Sequence, residues 1–161
     1  MKNAVLPGSY DPITVGHLEI IKRAANVFDN VTVLVIPNSE KKYLLDEEKR
    51  LLLVKDAIKD IPNAKADVYN GLTVDYLKEN GFPVLVKGVR NTTDFEYEKY
   101  IAFNNGELAR YSSGEHIETL LLPAEPKYSE ISSTLVRIFI EYGRDFSALV
   151  PNPLLLKELL K

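Results

Sequence analysis

Gly16 and His17 share one helical turn, and helix stability alone selects neither of them. They close the string Pro7-Gly8-Ser9-Tyr10-Asp11-Pro12-Ile13-Thr14-Val15-Gly16-His17. Thr14 reads as the N-cap of a helix, its hydroxyl accepting from a free backbone N–H. Gly16 then takes the second helical position and His17 the third. A Glu or Gln at the third position completes a capping box, and a charged histidine there opposes the helix dipole. A glycine in a helix costs about 1 kcal/mol relative to alanine. A bound anion reconciles both choices: Gly16 admits it to the backbone and His17 donates a hydrogen bond to it. As a bare pair, the two residues also fit a half-exposed histidine on a helix that tolerates a glycine.

Cations gather in three further places. Lys87-Gly88-Val89-Arg90 follows the apolar run Val84-Leu85-Val86, at the strand end that faces ligands in open α/β sheets. Lys87 and Arg90 can neutralise phosphates there, with Gly88 opening the backbone to them. The same two cations also fit a chain that is simply surfacing. In Tyr128-Ser129-Glu130-Ile131-Ser132-Ser133-Thr134-Leu135-Val136-Arg137, several hydroxyls crowd a helix start that needs one cap, and Arg137 lies a turn further on. Surplus hydroxyls, free N–H groups and a cation describe a phosphate site. Lys41 and Lys42 lie in a polar loop, where a lysine can close over a phosphate or be merely solvated.

The acids are less informative. Thr93-Asp94-Phe95-Glu96 reads as a capping box, so Asp94 and Glu96 are discounted, as are Asp46, Glu47 and Glu48 at another helix start. Glu98 lies beyond the first turn and stays open. His116 has no visible partner pattern, and no spacing of His, Asp and Glu indicates a dedicated metal cage.

The elements that must position these residues alternate along the chain. Ala4-Val5-Leu6, Val31 to Ile36, Ala64 to Tyr69, Pro83 to Val86 and Ile117 to Leu122 read as strands, the second being the near-continuous apolar run of a strand covered on both faces. Helices are expected after Thr14, over Asp46 to Asp60, Thr73 to Glu79, Asp94 to about Arg110, Ile131 to Tyr142 and Pro151 to Lys161. On the second of these, Leu51, Leu52, Val54, Ala57 and Ile58 are the apolar positions. Ser112 to Glu115 reads as a turn. Such alternation predicts an α/β fold, a Rossmann-like doubly wound parallel five-stranded sheet, as one domain over residues 1–161.

With 161 residues, 45% of them hydrophobic and 27% charged, the chain is expected to be soluble and globular. A net charge of −3 makes nucleic acid an unexpected partner and leaves any anion site to local cations. No run is long enough for a membrane span, no signal-peptide pattern opens the chain, and cysteine is absent, which together predict a cytoplasmic protein.

The Pro7 to His17 string resembles the signature of the nucleotidylyltransferase superfamily with a T/HxGH motif. Together with Lys41, Lys87-Gly88-Val89-Arg90 through Asp94-Phe95-Glu96-Tyr97-Glu98, and Ser129-x-Ile131-Ser132-Ser133, it resembles one family over nearly the whole chain: the phosphopantetheine adenylyltransferases. That resemblance implies transfer of AMP from ATP, with magnesium, to 4′-phosphopantetheine, giving dephospho-coenzyme A and pyrophosphate. It implies ATP binding by Ser9, Tyr10, His17, Gly88, Val89, Arg90 and Glu98, and by Tyr128, Ser129, Glu130, Ile131, Ser132, Ser133 and Thr134. Ser9, Lys41, Thr73 and Lys87 are implied to bind phosphopantetheine. Catalysis falls to His17, Lys41, Ser9 and Arg90, by in-line attack without a covalent intermediate. A homohexamer and feedback by coenzyme A are implied as well. Lys87 stands where the family usually has Arg, Glu130 where it often has an aromatic residue, and Tyr111 to His116 is a few residues longer than usual. A nucleotidylyltransferase acting on a different phosphorylated acceptor is the alternative. A dinucleotide-dependent oxidoreductase is excluded, because no Gly-x-Gly-x-x-Gly follows the first strand.

Overall fold

The computed structural model describes residues 2–37, 42–81, 84–114 and 116–161. Five strands, β1 (Asn3–Gly8), β2 (Asn30–Val35), β3 (Ala64–Val68), β4 (Val84–Val89) and β5 (Glu118–Pro123), form one sheet in the order β3-β2-β1-β4-β5. Every neighbouring pair is parallel. The register sets Gly8 beside Val35 and Gly88 beside Leu122.

The helices are α1 (Val15–Val27), α2 (Glu47–Ile58), α3 (Thr73–Asn80), α4 (Thr92–Ser113), α5 (Ser133–Glu141) and α6 (Pro153–Leu159). Alternate strand residues point to opposite faces. Ala4, Leu6, Val31, Val33, Val35 and Val86 pack with buried residues of α1, α2, α5 and α6. Val5, Leu34 and Leu85 pack on the other face with Val74, Tyr76 and Leu77 of α3 and Ala109 of α4. Helices on both faces make the sheet doubly wound, as the apolar runs predict.

Chain order reverses between β1, which leads leftward through β2 to β3, and β4, which leads to β5. In such sheets the crevice at the carboxyl ends of the strands flanking the reversal takes the ligand. The turn after β1 and the Lys87–Arg90 segment both end there.

Several boundaries differ from those expected. The cap of α4 is Asn91, whose side chain accepts from the Asp94 N–H at 2.9 Å, and not Thr93. The helix runs on to Ser113 and closes at Gly114 with φ +71°, so Ser112 and Ser113 are helical and do not form a turn. A 3-10 turn over Pro126–Tyr128 precedes α5, which starts at Ser133 and not Ile131 because Ser132 is its cap. On α2, Arg50 is buried while Leu52 is 46% exposed. That helix is therefore turned relative to the expected apolar face, with Arg50, Leu53, Val54 and Ile58 inward.

Candidate active site

At the reversal point lies a cleft of about 550 Å³. Its floor is the turn between β1 and α1. Tyr10 has φ +49°, a left-handed conformation that costs a non-glycine residue about 1–3 kcal/mol. Its ring is buried, its hydroxyl donates to the Leu6 carbonyl at 2.9 Å, and burial pushes its pKa up. A Cβ on Gly8 would sit 2.9 Å from this buried ring, so a side chain there would force the ring to shift. Asp11 is buried and accepts from the Leu44 and Leu45 N–H groups at 2.8 and 2.9 Å. It thereby ties the turn to the segment that leads into α2.

His17 is fixed by the cap of its own helix. The Thr14 hydroxyl accepts from the His17 N–H at 3.3 Å, and the Thr14 N–H donates to Nδ1 at 3.1 Å. These are the two reciprocal bonds of a capping box, with histidine in the place of Glu or Gln. The expectation that His17 works against its helix is corrected, because an accepting Nδ1 carries no proton. The ring proton then belongs on Nε2, and His17 donates from that nitrogen. The Tyr10 ring meets the imidazole edge-on at a centroid distance of 5.2 Å.

Gly16 lies under the segment before α5: a Cβ there would come 3.7 Å from both the Ile131 carbonyl and the Tyr128 Cβ, which is ordinary contact. Gly88 is more constrained, since a Cβ would meet Ile20 Cγ1 at 2.9 Å. Its small size is needed for α1 to lie against β4, whatever else approaches its backbone.

At the β4–α4 side each cation has a carboxylate. Lys87 Nζ lies 3.3 Å from Glu98 Oε1 and donates to the Pro7 carbonyl at 3.3 Å. The other oxygen of Glu98 is buried with no hydrogen-bond partner. Arg90 forms a fork on Asp94, with Nε at 2.8 Å and Nη2 at 3.3 Å. Asp94, which the cap argument discounted, is thus the partner of a candidate site residue. The hydroxyls before α5 all have work: Ser132 caps at Leu135 N (3.0 Å), Ser133 donates to the Pro12 carbonyl (2.8 Å), and Thr134 accepts from Arg137 (3.0 Å). Arg137 also donates to the Asp11 carbonyl at 2.7 Å. Ser133 and Arg137 thus cross-link α5 to the turn after β1, while Ser132 and Thr134 bond within α5.

Ser9, Tyr10, His17, Lys87, Gly88, Arg90 and Glu98 line the cleft, as do Tyr128, Ile131, Ser132, Ser133 and Thr134. Val89 is buried at the end of β4, and Ser129, Glu130 and Thr73 are outside the lining, Thr73 opening α3. Lys41 lies outside the described residues. His116, for which the sequence shows no partner, sits 3.1 Å from Glu118 on the surface and draws that carboxylate below its usual pKa. Among the described residues no group of His, Asp and Glu stands together as a metal-ion cage.

Residues 5–139 match the model of the cytidylyltransferase-like family. Relatives named phosphopantetheine adenylyltransferase include one from Desulforudis audaxviator, 46% identical over 95% of this chain and 91% of its own. Another, from Clostridium beijerinckii, is 44% identical over 96% of this chain and 94% of its own. The chain belongs to the cytidylyltransferase-like family, among its phosphopantetheine adenylyltransferases. The fold is shared with a protein of Vibrio parahaemolyticus provisionally assigned as a nicotinate-nucleotide adenylyltransferase, at TM-score 0.68 and 23% identity over 99% of this chain and 95% of that one.

Two buried charged residues that support the cleft escape the sequence reading. Asp11 sits inside the quoted string but shows its role only through Leu44 and Leu45, which are distant in sequence. Arg50 left a trace: it lies three and four residues before Leu53 and Val54, on the buried stripe of α2.

Proposed function

We propose that this chain transfers the adenylyl group of ATP to 4′-phosphopantetheine, reversibly, giving dephospho-coenzyme A and pyrophosphate. A phosphate oxygen of phosphopantetheine attacks the α-phosphorus of ATP, a new P–O bond forms, and the bond to the bridging oxygen of pyrophosphate breaks. The nucleophile is already an anion, so the reaction calls for no general base. The protein's contribution is positioning and charge stabilisation.

The observation that carries this reading is the held imidazole of His17: Nδ1 is committed to Thr14, so Nε2 donates a proton-bearing edge to a phosphate oxygen. A donor oriented before the substrate arrives costs no reorganisation as charge grows in the transition state. In this reading Ser9 and His17 hold the reacting phosphates, and Lys41 neutralises charge at the transferred phosphorus. Lys87 and Thr73 meet phosphopantetheine. Arg90, Glu98 and the Tyr128–Thr134 segment hold ATP. Lysine at position 87 offers one point charge where arginine would offer a fork. Magnesium bound to ATP would screen the triphosphate charge, with phosphate oxygens and water as ligands.

Residues 1–161 act as one nucleotidylyltransferase domain, and the site of action is the cytoplasm; among the described residues no helix is long and apolar enough to cross a membrane. The homohexamer finds support on α4, where Tyr97, Tyr100, Leu108 and Tyr111 form one exposed stripe opposite the buried Ala109. Feedback by coenzyme A, which shares the pantetheine arm, belongs to the same reading.

Pyrophosphate release from ATP and magnesium, with and without phosphopantetheine, tests the assignment. Release that depends on phosphopantetheine is expected. Release with another phosphomonoester, but not with phosphopantetheine, moves the chain to a different acceptor.

A further inference from the structure

Arg50 is 2% exposed, yet among the described residues no carboxylate comes within 4 Å of its guanidinium. Nη1 donates to the Ser9 carbonyl at 2.8 Å, the guanidinium lies 4.0 Å over the Tyr43 ring, and Nε is buried without a partner. A buried cation with no counter-charge among the described residues is costly, and an anion bound nearby would offset that cost. Both groups that Arg50 touches, Ser9 and Tyr43, line the cleft, while Arg50 itself does not. The guanidinium therefore stands directly behind the wall. It joins the turn after β1 to the loop leading into α2.

We infer that Arg50 is a positioning residue for the acceptor phosphate. It fixes the Ser9 backbone and supplies, through the wall, positive charge that a phosphomonoester at Ser9 compensates. Low dielectric between the two strengthens the attraction relative to water. This inference rests on the reaction proposed above, because it assumes that a phosphate of the acceptor meets Ser9.

The test compares binding of phosphopantetheine with binding of pantetheine, which lacks the phosphate, in the wild type, R50Q and R50K. A purely structural role weakens both ligands alike and leaves their ratio unchanged. The inference expects the preference for the phosphorylated ligand to fall about tenfold in R50Q, and to stay within about threefold of wild type in R50K, which keeps the charge. An unchanged preference in folded R50Q overturns it. Should R50Q not fold, R50K and Y43L decide. A preference lost in R50K but kept in Y43L makes planar fixation of the Ser9 carbonyl the cause and overturns the charge role. A preference kept in R50K supports it. A wild type that turns over no phosphopantetheine and shows no preference removes the proposed reaction itself, a pattern distinct from failure of Arg50 alone.

Discussion

At the α1 end of the cleft, His17 is held by two reciprocal hydrogen bonds with Thr14, three residues away. At the β4–α4 end, Lys87 and Arg90 are held by the carboxylates of Glu98 and Asp94. The first arrangement fixes the imidazole through the backbone and cap of its own helix, with Nδ1 as the acceptor. The second makes an incoming phosphate compete with acids already in place. Both ends are ordered, but one is preorganised for the transition state and the other is masked until charge arrives. A phosphate carries more negative charge than a carboxylate and can win that competition, at a cost in ground-state affinity rather than in turnover.

Replacing the preorganised donor should have the largest effect. His17→Ala is expected to lower kcat by about 10²–10³-fold, with a much smaller rise in KM; steady-state kinetics with both substrates checks this, and a near-normal kcat would remove His17 from the transition state. The glycines that frame the two ends give the next contrast. Gly88→Ala drives a Cβ towards Ile20 and should cost about 1–3 kcal/mol in chemical denaturation. Gly16→Ala meets only ordinary contacts and should hold or gain stability by up to about 1 kcal/mol. A stable Gly16→Ala with lost activity would support the view that Gly16 admits a ligand to the backbone.

Thr14→Val removes one half of the capping box but keeps the Thr14 N–H donor. A loss of about 1 kcal/mol in stability is expected, with a smaller fall in kcat than in His17→Ala. Equal falls in the two variants would mean that the hydroxyl, and not the backbone donor, orients the ring. The smallest effect belongs to the masked end. Asp94→Asn frees Arg90, and because the pair is partly exposed it should lower KM for ATP by no more than about two- to fivefold at low salt, fading as salt rises. A raised KM would show that Asp94 orients Arg90 rather than competing for it.

The difference between the two ends also separates what was legible beforehand. The cap of α1 is local: Thr14, Gly16 and His17 lie within one turn, so spacing alone placed His17 at the third helical position. Its partner atom was less legible, because a histidine can serve as the returning half of a capping box only in one ring orientation. Around α4, Thr93 and Asp94 fit a capping box on local grounds, yet Asn91 is the cap and Asp94 pairs with Arg90, since a carboxylate in a first turn has a local use whether or not a cation stands opposite. Arg90 reaches Asp94 across the cap residue Asn91, and Lys87 reaches Glu98 from a strand to a helix. The hydroxyls at the start of α5 are conspicuous by number, but Ser133 pairs with Pro12 and Arg137 with Asp11, each more than a hundred residues away in sequence.

By itself the sequence determined the alternation of strands and helices, the apolar runs that demand cover on both faces of a parallel sheet, and the chemical inventory of the cleft. These follow from periodicity, capping and residue type, which act over a few residues. Only the tertiary structure decided that β4 lies beside β1, so that Gly8 and Gly88 flank one crevice. It also decided that α2 turns Arg50 inward beneath Ser9, and that Lys87 and Arg90 are paired with acids. Those outcomes depend on strand order and helix rotation, which are set by the whole core at once and not by the few residues around each position.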